Sequence, residues 1–253
     1  MTVWTYRGWL LPLVLLGAAE LSIRISGIES LGIALPSDVG RALVQIAGDG
    51  TAFIHTWETL AAMLLGLLIG GSVGICLGIF LGLSRLASWT SSLAIELFRP
   101  IPPVAIIPIA LLIYGFGVRM EAAIIAFTAF WPMLLLTQSA VESVDRQLIE
   151  VARVLQLSRL KSVTSIILPA ILPRVLTALR LTVGIAFIVA ITTEIAVNPL
   201  GLGHAMMLAQ MELRPSFMYA YVVWLAVLGW VINTGLLLLQ KRMFGAMRIE
   251  VRR

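Results

Sequence analysis

Charge, sulfur and imidazole are all scarce in this chain. Asp, Glu, Lys and Arg make up 12% of its 253 residues, against about 25% in an average soluble domain. With 60% hydrophobic residues and a mean hydropathy of +1.01, that deficit excludes an ordinary soluble domain. The single cysteine, Cys76, excludes an intrachain disulfide; in an apolar stretch beside Gly74 and Gly78 it reads as packing, not redox chemistry. Two histidines leave no paired His and Cys metal site. The sequence has no G-x-x-x-x-G-K-[ST] phosphate loop, no Ser nucleophile elbow and no H-E-x-x-H run. No enzyme activity, metal or cofactor is therefore expected in this chain, and any ATP hydrolysis must come from another polypeptide.

What the chain has in quantity is apolar length. Runs near the roughly 20 residues needed to cross hydrocarbon as a helix recur along it, which predicts an all-α, polytopic membrane protein of about six transmembrane helices. Residues 1–253 then form a single transmembrane domain. The spans are expected at about Gly8–Ile25, Leu60–Leu83, Ile101–Phe116, Ala122–Val141, Val175–Val197 and Phe217–Leu239. Residues 7–19 have the outline of a secretory signal, but the later topology needs this helix, so it is expected to stay. Glu20 and Arg24, four apart, are placed to pair.

Between the first two spans, Leu35-Pro36-Ser37-Asp38 reads as a turn into a short amphipathic helix, Val39–Ala47, on the membrane surface. His55 reads as an interfacial, hydrogen-bonded residue rather than a ligand. The second span carries Gly66, Gly70, Gly74, Gly78 and Gly82 at four-residue spacing, a smooth ridge that lets another helix approach closely. After Arg85 a short loop is expected to lead to Glu96 and Arg99. Pro100, Pro102, Pro103 and Pro108 then forbid a regular helix. Two readings fit them: a broken span lining a wet path, or the end of an interfacial loop. Trp131-Pro132 marks a kink in the fourth span.

The longest polar interval, about residues 142–173, holds Glu142, Asp145, Arg146, Glu150, Arg153, Arg159 and Lys161, followed by breaks expected at Leu168-Pro169 and Leu172-Pro173. Helix-turn-helix with one packed side and a solvated loop are both compatible with its periodicity. Glu194 closes the fifth span, and Asn198 to His204 reads as a flexible turn before a short helix, Ala205–Leu213. With both termini inside, only Arg24, Arg41, Arg119 and Arg214 of the 18 basic residues lie outside. That asymmetry places the polar interval and the basic tail, which includes Arg248, Arg252 and Arg253, in the cytoplasm. It also accounts for the formal charge of +5 without a nucleic-acid partner.

Glu150, Ala152, Leu168 and Pro169 resemble the EAA motif of ABC-importer permeases, with Val151 for its middle alanine and Gln156 where a glycine is usual. Phe98 to Gly117, FRPIPPVAIIPIALLIYGFG, is similar to the RPIPP-x-A-x-x-P signature of the nitrate, sulfonate and taurine branch. The resemblance covers about residues 30–245. It implies a type I importer permease of the bacterial inner membrane that pairs with a second copy. Further implied partners are two cytoplasmic ATPase subunits, which bind the ATP and Mg, and a periplasmic or lipid-anchored solute-binding protein. The solute would be a small anion, sulfonate-, taurine- or nitrate-like.

Glu150, Ala152, Arg153, Gln156 and Arg159 would form the ATPase-coupling surface, with the turn at Gln156 made differently from the glycine form. Pro102, Pro103, Tyr114 and Glu194 are candidate wall or gate positions. An ionised Glu194 would repel an anion, so a gate or a structural pairing, with Arg119 as one partner, fits it better than solute coordination. The alternative class is an ATP-independent channel or ion-coupled carrier, for which Glu194 is the attractive feature.

Overall fold

A computed structural model describes residues 3–26 and 32–245. Among these all regular structure is helical: α1 (Val3–Ser26), α2 (Pro36–Gly48), α3 (Thr51–Leu83), α4 (Arg85–Phe98), α5 (Ile107–Tyr114), α6 (Val118–Glu142), α7 (Arg146–Val154), α8 (Arg159–Ser162), α9 (Leu168–Ala196), α10 (Gly201–Met211) and α11 (Pro215–Gly245). A 3₁₀ turn, Pro103–Ile106, precedes α5, and a π turn, Val163–Ile167, joins α8 to α9. The fold is the expected all-α polytopic one. Among the described residues four stretches are long and apolar enough to cross a membrane, and α4 with the α5 unit passes as a fifth, bent by 84°. The expected tail residues Arg248, Arg252 and Arg253 lie outside the described residues.

The centre of the bundle is a three-helix contact. Ala62, Met63 and Leu67 of α3, Ile125 and Ala129 of α6, and Val183, Ala186 and Ala190 of α9 form one buried cluster. A second continues along α6 and α9 from Met133 and Val141 to Ile167 and Ile171. Small residues set its tightness, because lipid offers no hydrophobic drive between helices and close backbone contact must supply the attraction. The predicted glycine ridge is there, and its partner is α6: a methyl at Gly66 would strike Ile125, at Gly74 Phe130 and Met133, and at Gly82 Val141. The pairing of 66 with 125 and 82 with 141 makes α3 and α6 run parallel; α9 returns against them.

The surface helix predicted between the first two spans is α2. Its Ala42 and Ile46 pack against Leu202 and Ala205 of α10 and Ala220 and Tyr221 of α11. Its start is tied to α1, since Glu20 accepts from the Ser37 N–H at 3.0 Å and from Ser37 Oγ at 2.9 Å. Arg24 Nε donates to the same Glu20 at 2.7 Å, the expected pair.

Three expectations are corrected. Residues 85–98 are helix, not loop: Ser84 Oγ caps the first turn from Ala87 N–H, and the hydroxyls of Thr90 and Ser92 turn back onto carbonyls of Leu86 and Trp89, which lets polar residues ride an apolar surface. The prolines at 169 and 173 do not break the chain. The helix widens before them, with Leu168 N–H reaching back to Val163 C=O, and Pro169 then falls in the first turn of α9, where its missing donor costs little. The fifth helical run accordingly starts well before Val175. Third, the stretch after Glu194 is held by hydrogen bonds and is not a flexible turn.

Candidate functional site

Two regions at opposite ends of the bundle carry the polar chemistry. At one end the chain leaves α6, forms α7, turns, and enters α8, so the helix-turn-helix reading of the polar interval is the one realised. Asp145 Oδ1 accepts from Gln147 N–H at 2.9 Å at the start of α7, and Ser158 Oγ accepts from Lys161 N–H at the start of α8; short polar side chains at helix starts satisfy donors that the helix cannot. Ala152 is buried, whereas Glu150 and Gln156 are exposed. The side chains of Arg153 and Arg159 lie outside the described residues. Val154, Leu155 and Leu160 stand 81%, 61% and 74% exposed on the same element.

The turn after α7 corrects the expectation for Gln156. Its φ of 49° is the left-handed conformation that glycine adopts freely. Leu157 N–H bonds back to Ala152 C=O at 3.1 Å, the six-to-one closure of a helix end. The turn is thus the one a glycine would make, with glutamine held in it.

The broken span forms one wall of a cavity of about 480 Å³ against α6 and α9, lined among others by Arg99, Pro103, Thr128, Trp131 and Leu181. Of the four candidate path residues, the structure brings Pro103 to this cavity. Pro102 and Tyr114 are exposed elsewhere on the broken span. Glu194 lies apart from it, only 1% exposed.

Glu194 belongs to a polar knot at the other end of the bundle, where α3 and α6 begin, α9 ends and α10 starts. Its Oε2 accepts from Gly203 N–H at 2.7 Å. Glu58 Oε2 accepts from Gly201 N–H at 2.9 Å, and Thr59 Oγ1 from Leu202 N–H at 3.1 Å. Three of the orphan donors at the α10 start are thereby satisfied, two by carboxyl groups at the positive end of the helix dipole. The same Glu58 oxygen lies 2.9 Å from His55 Nδ1, so His55 is the hydrogen-bonded residue expected. Asn198, fully buried, donates from Nδ2 to Glu121 Oε2 at 2.7 Å and accepts from Gly117 N–H at 3.0 Å.

The partner of Glu194 is therefore the backbone of α10, while Arg119 is exposed. Sequence reasoning missed Glu121, which falls just before the fourth span expected from about Ala122, and Asn198 and Thr59. The available signal was Glu121's flanks: Met120 and Ala122 on either side and Ile124 and Ile125 one turn on, an apolar setting for a buried acid. Gly201, at φ 89°, is needed where it stands, because a methyl there would overlap Glu194.

Comparison with known proteins places these features. The family described as binding-protein-dependent transport system inner membrane component matches residues 74–249. The taurine transport system permease protein TauC of Escherichia coli is 30% identical over 221 residues, covering 85% of this chain and 80% of TauC. The bicarbonate transport system permease protein CmpB of Synechococcus elongatus is 29% identical over 189 residues, covering 73% and 68%. Among solved structures, an inward-facing MetNI methionine ABC transporter chain aligns with a TM-score of 0.68 at 22% identity, covering 76% of this chain and 95% of that one. A chain of an amino acid ABC transporter aligns at 0.63 and 17%, covering 79% and 98%; these two likenesses concern the fold. The family match spans well over half of the sequence, and the chain belongs to the binding-protein-dependent transport system inner membrane components.

Proposed function

We propose that the chain is the transmembrane subunit of an ATP-driven importer for a small anion, sulfonate-, taurine- or bicarbonate-like. It works with a second copy of itself, two cytoplasmic ATPase subunits that bind ATP and Mg, and an external solute-binding protein. The observation that carries this reading is the surface of α7 and α8. Val154, Leu155 and Leu160 are open beside the exposed Glu150, an apolar patch with a polar rim of the kind that marks a protein contact. The basic residues gathered on this interval support its placement in the cytoplasm, with both termini on that side. A groove on an ATPase that accepts the patch and pairs with Glu150 would turn ATPase closure into movement of α6 and α9, the two helices the element joins.

TauC and CmpB are named for taurine and bicarbonate transport, which supports an anionic or sulfonate-bearing solute here. The cavity against the broken span is the matching path, with Arg99 as its cation and Pro103 in its wall. The ion-coupled alternative loses its motive, since Glu194 holds the start of α10 and is closed to the cavity.

The test is Glu150→Lys in vesicles holding permease, ATPase and binding protein. The variant is expected to insert and melt like the parent while ATPase assembly or ATP-dependent uptake is lost. Normal uptake, or uptake by the permease alone on a proton or sodium gradient, refutes the reading.

A further inference from the structure

The hydrogen-bond pattern around Glu121 and Glu194 specifies more than the anchoring of α10. Asn198 is oriented by Gly117, whose N–H points at Oδ1; its amide nitrogen therefore faces Glu121, and Glu121 Oε2 is an acceptor. Glu194 Oε2 is likewise an acceptor, from Gly203 N–H. The other oxygen of each carboxyl group, Glu121 Oε1 and Glu194 Oε1, is buried and meets no donor. Both residues are 1% exposed; their carboxyl groups stand within hydrogen-bonding reach of each other, and the Thr59 hydroxyl stands beside that of Glu194.

Two bare carboxylates in this position would set like charges together, out of water, and leave two acceptors unsatisfied. A proton on each would leave the second O–H only Thr59 Oγ1, which already accepts from Leu202 N–H and donates to His55 C=O, and would remove the anion that faces the start of α10. One proton between the two Oε1 atoms satisfies every group: the O–H of one acid donates to the other, and both Oε2 atoms keep the donors they have. The negative charge then belongs on Glu194, which faces the N-terminus of α10, and the proton on Glu121.

Glu58 of α3 is a further ionisable group acting on both; its own Oε2 is taken by Gly201 N–H and lies against His55. Arg119 of α6 is exposed and His204 of α10 half-buried. No group of three or more His, Cys, Asp and Glu among the described residues is arranged to hold a metal ion.

We propose that Glu121 and Glu194 share one proton, with Glu121 as the acid and Glu194 as the carboxylate, and that this bridge clasps the start of α6 to the end of α9 and the start of α10. The clasp is a closure of the bundle's α10 end that exists only with the proton in place. It is independent of which solute the protein moves and of the coupling surface.

Infrared difference spectroscopy of the purified protein in D₂O reads the proton directly. The wild type is expected to show a carboxylic-acid C=O band that Glu121→Gln removes. That variant should keep its melting temperature, because the glutamine amide donates where the acid O–H did. Glu194→Gln should melt lower, having lost the anion at α10. If Glu121→Gln does not yield folded protein, Asn198→Ala serves: loss of the donor to Glu121 Oε2 must shift the same band. A band that survives Glu121→Gln, no acid band at all, or a band unmoved by Asn198→Ala overturns the proposal. So does a sodium-dependent melting temperature that Glu121→Gln abolishes, which would put a metal cation where the proton is assigned.

Discussion

Replacing Gly70 by alanine tests the packing argument at its tightest point. A methyl group there would fall on the Ala126 carbonyl oxygen, with the carbonyl carbon at 2.7 Å and Cα at 2.8 Å. Non-bonded carbons rest at about 3.5–4.0 Å, so α3 and α6 would have to part by roughly 1 Å locally. The obstruction is backbone, which has no rotamer to escape into. That argues for the upper end of the about 1–3 kcal/mol that overpacking costs, and alanine's better helix propensity offsets about 1 kcal/mol of it.

A net loss near 2 kcal/mol corresponds to a fall in Tm of about 4–8 °C for a chain of this size. The control is the next residue. Gly71 is also buried, but a methyl there meets nothing closer than Met133 Cγ at 4.0 Å, so Gly71→Ala keeps or raises Tm. Scanning fluorimetry in one detergent reads both. If the two variants melt together, the ridge is not where α3 and α6 touch, and the reasoning fails.

Two further substitutions act on backbone conformation. Gln156 and Leu213 hold φ values of 49° and 55° at the ends of α7 and α10, each followed by a six-to-one bond, Leu157 to Ala152 and Arg214 to Ala209. Relief of left-handed strain by Gln156→Gly or Leu213→Gly is worth about 1 kcal/mol and should raise Tm; a fall in both would show that the side chains, not the turns, are what those positions need. Gly201→Ala combines a positive φ with overlap on Glu194 and should lower Tm by more than Gly70→Ala. A neutral result there would mean that Glu194 does not sit against the start of α10.

The apolar runs and the glycine spacing were legible because each depends on one helix alone: span length follows from bilayer thickness, and a four-residue repeat marks a face whatever lies opposite. Which helix lies opposite was not legible, since a ridge of glycines suits any partner. Glu121 was missed for a related reason. Two charges in five residues at a chain turn look solvated, yet once α6 begins at Val118, positions 119 and 121 lie about 200° apart around the helix. One can then face out while the other faces in. Residues 85–98 hid their helix behind Ser and Thr, whose hydroxyls are satisfied by carbonyls of their own turn. The π turn before Pro169 left no trace in composition, because widening a helix by one residue changes hydrogen-bond register and not residue type. The Gln156 turn shows the opposite limit: a missing glycine did not mean a missing left-handed turn, since the six-to-one closure holds the backbone and the side chain is left exposed.

The two polar ends are joined by the closely packed α3 and α6 pair. Because α3 and α6 meet backbone to backbone from Gly66 to Gly82, neither can slide or rotate past the other without clashing, and they move as one strut; α6 alone spans about 37 Å at 1.5 Å per residue. Its first turn carries Glu121 and the knot that fixes α10. Its last two turns carry Gln138, which donates to Ser88 of α4 and to Glu142, each at 2.9 Å, and lead into α7. A push on α7 therefore cannot be absorbed inside α6 and must appear as tilt of the strut, against the hydrogen bonds at Asn198, Gly201 and Gly203. The place where such a tilt can be taken up is the broken span, which is bent by 84° and bounds the cavity. If the proposed coupling drives the bundle from the α7 end, the knot is the pivot, and the Arg99 and Pro103 side of the cavity is where the displacement would show.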